Sequence, residues 1–339
     1  MTTRYRWTAL GLAWLGLLIL LTGALPASAA PDALVTFDVP TDASQPASIA
    51  AGPDGNLWFT EIDANKIGRM TPAGAIDEFD APTPNAYLNH IAPGPDGNLW
   101  FTESFADKVG RITPAGAVTE FDIPARFQNT PGSAPYTIAA GADGNLWFTE
   151  LVDAQIGRLT PAGALTEFDL PAGRQPSVIE SGPDGNLWFA DLSAPLVGRI
   201  TPAGAIRMFD MPHIVRDLSW GPDGNLWLAF DFTGGIGRLT PAGALIQIGL
   251  PAESRAVKLT SGRDGNLWLL LADRSGLSLR RMTPAGGLTT ITAFTNFAAA
   301  DLVWGADGNL WLTASNNQIG RMTPPPQHRA HLPLIPSMR

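Results

Sequence analysis

Cysteine is absent from the 339 residues, which excludes a disulfide framework, a thiol nucleophile and a cysteine-ligated metal. Charge is scarce too: charged residues make up 16 % of the chain, with a formal net charge of −9. Phosphate binding depends on clustered Lys and Arg, so this balance argues against a nucleic-acid partner. The apolar run at 9–21 is short of the roughly 20 residues that a spanning helix needs. Arg4 and Arg6 precede it and Ala27-Ser28-Ala29 follows it, the pattern of a cleaved export signal over 1–29; an uncleaved anchor is the alternative. Cleavage would remove two cations and no acid, taking the charge to −11 and placing the chain outside the cytoplasm, secreted or at the cell surface, with no membrane span.

What the chain has in quantity is a repeat. The phrase GPDGNLWFTE at 52–61 recurs with small changes seven times, marked by Trp58, Trp100, Trp147, Trp188, Trp227, Trp268 and Trp311. The intervals of 42, 47, 41, 39, 41 and 43 residues fit one four-stranded propeller blade per copy. The 36 glycines and 30 prolines fall mostly in the turns of this repeat. In blade one, 47–52 reads as an inner strand, Pro53-Asp54-Gly55-Asn56 as a turn and 57–61 as a second strand. The continuous apolar run of that second strand suits a position sandwiched between blades. Residues 67–71 and 75–79 form a second hairpin around Pro72-Ala73-Gly74.

Fourth strands recur as AVTEFDI, ALTEFDL, AIRMFDM, ALIQIGL and GLTTITA, but the seventh copy lacks one and runs into Pro324-Pro325-Pro326. The missing strand reads at the other end of the chain, as ALVTFDV over 33–39. The expected fold is therefore all-β: a monomeric seven-bladed β-propeller over 30–323, its ring closed by the N-terminal strand on the last blade. Closure protects a blade edge that would otherwise stay unpaired. A Pro-rich tail follows over 324–339; its His328 and His331 have no carboxylate nearby and are not expected to hold a metal.

The Asp of the first turn (Asp54, Asp96, Asp143, Asp184, Asp223, Asp264, Asp307) and the Arg of the third strand (Arg69, Arg111, Arg158, Arg199, Arg238, Arg281, Arg321) recur in every copy. A sevenfold feature is structural rather than functional. Variation among the copies collects on the face opposite the PDGN and TPAG turns, and binding groups are carried by such variable loops. There the second strand ends in Glu61, Glu103, Glu150 and Asp191 in blades one to four, and in Phe230, Leu271 and Ala314 in the rest. Fourteen residues earlier, at the mouth of the first strand, stand Ala47, Asn89, Tyr136, Ser177, Arg216, Val257 and Ala300. The four carboxylates are the candidate ligands of a divalent cation, magnesium or calcium, with solvated strand ends as the alternative. Asn89, His90, Tyr136 and Arg216 are the candidate ligand-binding residues for a small molecule or peptide. An insertion at 124–132 lies over the same face; it reads as a plain surface insertion, with a cover for the central pocket as the alternative.

The blade phrase resembles that of the streptogramin B (virginiamycin B) lyase family, seven-bladed propellers, and the likeness runs over 33–323. The resemblance implies a magnesium-assisted elimination that opens the ester-closed ring of a cyclic peptide antibiotic. It also implies a Glu-x-His at the mouth of the first strand, and a Glu fourteen residues after that His, in the last blade. Here those positions are Ala298, Ala300 and Ala314, and no blade has His at the mouth; His90 sits one residue late, expected on the other side of its strand. Loss of a general base alone costs on the order of 10²–10⁴ in rate. The expectation is thus a lyase-like propeller that binds a ligand or partner without the lyase reaction. The alternatives are a metal-dependent lactonase-type enzyme built on Glu61, Glu103 and Glu150 with His90 nearby, and a lyase with another base.

Overall fold

The computed structural model describes residues 34–124, 132–231 and 234–324; the signal segment 1–29, most of the 124–132 insertion and the tail beyond Pro324 lie outside them. The described residues form 28 strands and no helix, arranged as seven four-stranded antiparallel sheets, one per repeat. Six sheets are consecutive meanders. The seventh is built from both ends of the chain: Leu34–Asp38 pairs with Gln318–Met322 in five registered pairs, Leu34 opposite Met322 and Asp38 opposite Gln318.

The second strand of each blade is buried over five residues, as in Leu57–Glu61 and Leu99–Glu103, because a neighbouring blade covers each of its faces; only in blade six does it run on, to the partly buried Ala272 and Asp273. All seven repeat tryptophans are fully buried, and each supplies a large apolar area to the core. Close approach of strands two and three requires glycine at one point: a Cβ on Gly110 would lie 2.1 Å from the Phe101 ring.

The recurrent Asp and Arg form a clip that joins one blade to the next. In blade two Asp96 accepts the Trp100 indole N–H at 3.0 Å. The Arg111 guanidinium lies over Trp100 and over Phe121 of the outer strand, 5.5 and 5.6 Å from the ring centroids. It also donates to the Pro161 carbonyl of blade three at 3.1 Å. The same donation joins Arg69 to Pro114, Arg158 to Pro202 and Arg321 to Pro72. Among the described residues Arg281 of blade six has neither a ring beneath it nor such a carbonyl; its contact is Asp264, at 3.8 Å, and a cavity of about 250 Å³ opens at that seam. Arg111→Ala is therefore expected to cost about 1–3 kcal/mol and Arg281→Ala under about 1 kcal/mol. Urea unfolding of the two variants checks this, and equal losses would refute the clip.

Candidate functional site

The first strands of the blades stand around the central axis. In blade two the pairing of Leu88–Pro93 with Leu99–Glu103 slips between Leu88 and Ile91. A comparable bulge interrupts the first strand of every other blade. The bulge suspends strict side-chain alternation, so two consecutive residues per blade face the channel instead of one. This corrects the sequence expectation for His90, which lines the same cavity as Asn89 rather than the far side of its strand.

Among the described residues two cavities lie along the channel. The one on the variable face, of about 260 Å³, is lined by Asn89, His90, Tyr136, Ser177, Arg216 and Lys258, with Ala300 and Asp301 across from them. The four residues expected to bind a ligand, Asn89, His90, Tyr136 and Arg216, are thus brought together. The second cavity, of about 470 Å³, has mostly apolar walls such as Ile49, Ile138 and Leu302, and reaches Glu180. His90, Lys258 and Asp301 border both and form a waist between them.

Hydrogen bonds from one blade to the next fix the waist. Asp217 accepts the Leu259 N–H at 2.8 Å, Asp301 the Ile49 N–H at 3.1 Å and Thr137 the Ile179 N–H at 3.0 Å. His90 Nδ1 faces the Ile138 N–H at 3.4 Å, which leaves the ring hydrogen on Nε2. Burial and the nearby Lys258 ammonium, opposed by Asp301, push His90 down to about 4, so it is neutral at pH 7. Burial would discharge Lys258, but Asp217 at 3.4 Å and Asp301 at 3.5 Å hold it protonated. Glu180 is pushed up to about 8 by burial and by the Asp217 charge, against a hydrogen bond from the Trp220 N–H.

Sequence reasoning missed Asp217, Lys258 and Asp301. The signal was present in the column one residue beyond the mouth, which reads Ser48, His90, Thr137, Val178, Asp217, Lys258, Asp301 and turns charged in the last three blades.

The expected acidic rim takes a different form. Glu61, Glu103 and Glu150 are fully buried and Asp191 is 1 % exposed, each enclosed at the end of its own second strand rather than gathered around the axis. Among the described residues no group of three or more His, Asp or Glu is placed to hold a metal ion. Asp191 accepts hydrogen bonds from Gln175 N, Ser193 N and Ser193 Oγ and serves as a turn cap. Burial, then a neighbouring acid, raises the other three: Glu61 to about 7 beside Glu78, Glu103 to about 8 beside Glu120, and Glu150 to about 9 beside Glu167. Carboxyls buried apart from one another do not offer the several oxygens that magnesium or calcium takes at once.

The rim does carry an apolar patch. Phe105, 74 % exposed, stacks on Tyr87 with ring centroids 4.4 Å apart, and Val152 is exposed in the equivalent turn of the next blade.

The profile of the virginiamycin B lyase family matches residues 29–213. A solved streptogramin B lyase is 31 % identical over 85 % of this chain and 96 % of its own, with a TM-score of 0.78. The chain belongs to the virginiamycin B lyase family. A second relative in the family is a catalytically inactive histidine-to-alanine variant of virginiamycin B lyase from Staphylococcus aureus, solved with quinupristin. It is 30 % identical over 86 % of this chain and 99 % of its own, with a TM-score of 0.77. At the positions where the family resemblance calls for two Glu and a His, this member has Ala298 on the surface, Ala300 on the cavity wall and Ala314 fully buried.

Proposed function

We propose that this family member is an exported propeller that binds a small molecule or peptide at the channel mouth and does not open its ring. The observation that carries the reading is the cavity itself. It keeps a polar wall of Asn89, Tyr136 and Arg216, while alanine occupies the place of the base at Ala300. The histidine that is present, His90, is a weak base held neutral by burial, far from the near-neutral pKa that suits a general base. The carboxylate-and-metal alternative loses support because Glu61, Glu103 and Glu150 are buried apart from one another.

Quinupristin incubated with the chain and magnesium is expected to stay cyclic by mass spectrometry, and a linear product would overturn the non-catalytic reading. Binding is read separately, by calorimetric titration with quinupristin. Loss of its heat in Asn89→Ala and Tyr136→Ala would support the mouth as the ligand site; heat unchanged in both would remove it.

A further inference from the structure

The near-identity of the blades supplies an internal baseline, and departures from it collect in blades five and six. At the mouth column only Arg216 is charged; the other blades have Ala, Asn, Tyr, Ser or Val. Two residues before the mouth only Arg255 is charged, where the others have Gln, Tyr, Ala or Ile. One residue after the mouth the sole cation is Lys258, His90 being neutral. Three separate columns thus place their one positive charge on two adjacent first strands, Val215–Trp220 and Arg255–Ser261, in a chain of net charge −9.

Two of these charges, Arg216 and Arg255, border a built groove, while Lys258 stays in the channel with Asp217 and Asp301. Beside the central cavity lies a second one on the same face, of about 380 Å³, lined by Arg216, Phe230, Asp231, Arg255, Ala256 and Val257. Arg216 borders both cavities and joins them. Asp231 replaces the Ile, Ser, Leu or Ala of the other blades. It grips Arg216 Nη2 at 2.7 Å, with the Asp231 side chain 10 % exposed and that of Arg216 44 % exposed. The carboxylate orients the guanidinium and leaves its remaining donors toward solvent. Arg255 is exposed, and the acid nearest it in sequence, Glu253, is engaged by Arg274 instead.

We propose that this groove binds the carboxylate of an organic acid or peptide C-terminus, held by Arg216 and Arg255. A guanidinium fork fits the planar, two-oxygen carboxylate. Two guanidiniums against Asp231 leave a single positive charge, which a carboxylate monoanion balances. Val257, partly exposed beside the buried Phe230 and Ala256, offers an apolar wall to the carbon skeleton next to the carboxylate. The proposal rests on the reading of the variable face as a ligand site and names the chemistry of its ligand.

The test is an NMR titration of the full chain with N-acetylphenylalanine and with N-acetylphenylalaninamide, which differ only in the charge. The acid is expected to bind at least about tenfold more tightly than the amide. That difference should vanish in the doubly substituted Arg216→Gln, Arg255→Gln protein, whose fold is checked by its melting curve. Equal affinities, a difference that survives the double substitution, or no binding of the acid would each overturn the anion groove. The ligand site as such is decided independently by the quinupristin titration, so the two failures can be told apart. Full binding of acetate alone would assign the groove to free carboxylates, and a requirement for the acylated amino acid would assign it to a peptide end.

Discussion

Deleting residues 31–40 is expected to lower the melting temperature by about 10 °C or more, on the scale that several kcal/mol implies for a domain of this size. The segment removes more than a ladder of five pairs. Phe37 stacks on Trp311 at 5.9 Å, and Arg321 lies over both rings. Val39 is buried against the core of blades seven and one. Asn317 donates to the carbonyls of Val39 and Thr41 and accepts from both the backbone and the hydroxyl of Ser44. Without the segment, Gln318–Met322 becomes an open edge and Trp311 loses one of its covers. Total stabilities of about 5–15 kcal/mol leave little room for such a loss. Thermal melts followed by circular dichroism check it, and addition of the 31–40 peptide in trans should recover part of the difference. An unchanged melt would refute closure by this strand.

Stability should fall as pH rises from 5 to 9, and replacing Glu61, Glu103 and Glu150 together by Gln should flatten that slope. In the unfolded chain these carboxyls ionise near 4.5, whereas in the folded chain they hold their protons up to about 7, 8 and 9. Across that window the unfolded state binds fewer protons, so each rise in pH favours it. The stabilisation is fully present below about 4.5 and is lost as pH passes through the folded values. Each of the three carboxyls adds to the slope, so the loss is steepest between about pH 5 and 7, where all three are ionised in the unfolded chain and still protonated in the folded one. His90 acts at the other end: its folded value lies below 6.5, so stability is lost as pH falls from there toward 4. Three carboxyls outweigh one imidazole, so the optimum is expected just below pH 5. Urea midpoints across this range measure the profile, and a wild-type midpoint that holds level from pH 5 to 9 would contradict the buried-acid account.

The blade count, the turn positions and the closing strand were legible because each is a property of the repeat, written seven times with small changes. The mouth residues Asn89, Tyr136 and Arg216 were legible for the opposite reason, as variation against that repeat. Asp217, Lys258 and Asp301 were not, since strict alternation turns them away from the axis and only the bulge brings them round; His90 was named as a candidate but placed on the wrong side of its strand for the same reason. The burial of Glu61, Glu103 and Glu150 was partly foreshadowed. The apolar run that marks a sandwiched second strand applies to its last residue as well, and a carboxylate at that point reads as a solvated end only if the neighbouring blade stops short. It does not stop short, and the acid is enclosed.

The closing strand also imposes an order in time. Asp38 meets Gln318 across 280 residues of chain, so the strand synthesised first has no partner until nearly the whole molecule exists. Contacts of such sequence separation form late, and segments awaiting them stay open to wrong pairings. Six blades can assemble from local hairpins as they emerge; the seventh is a rendezvous between the propeller's first strand and its last.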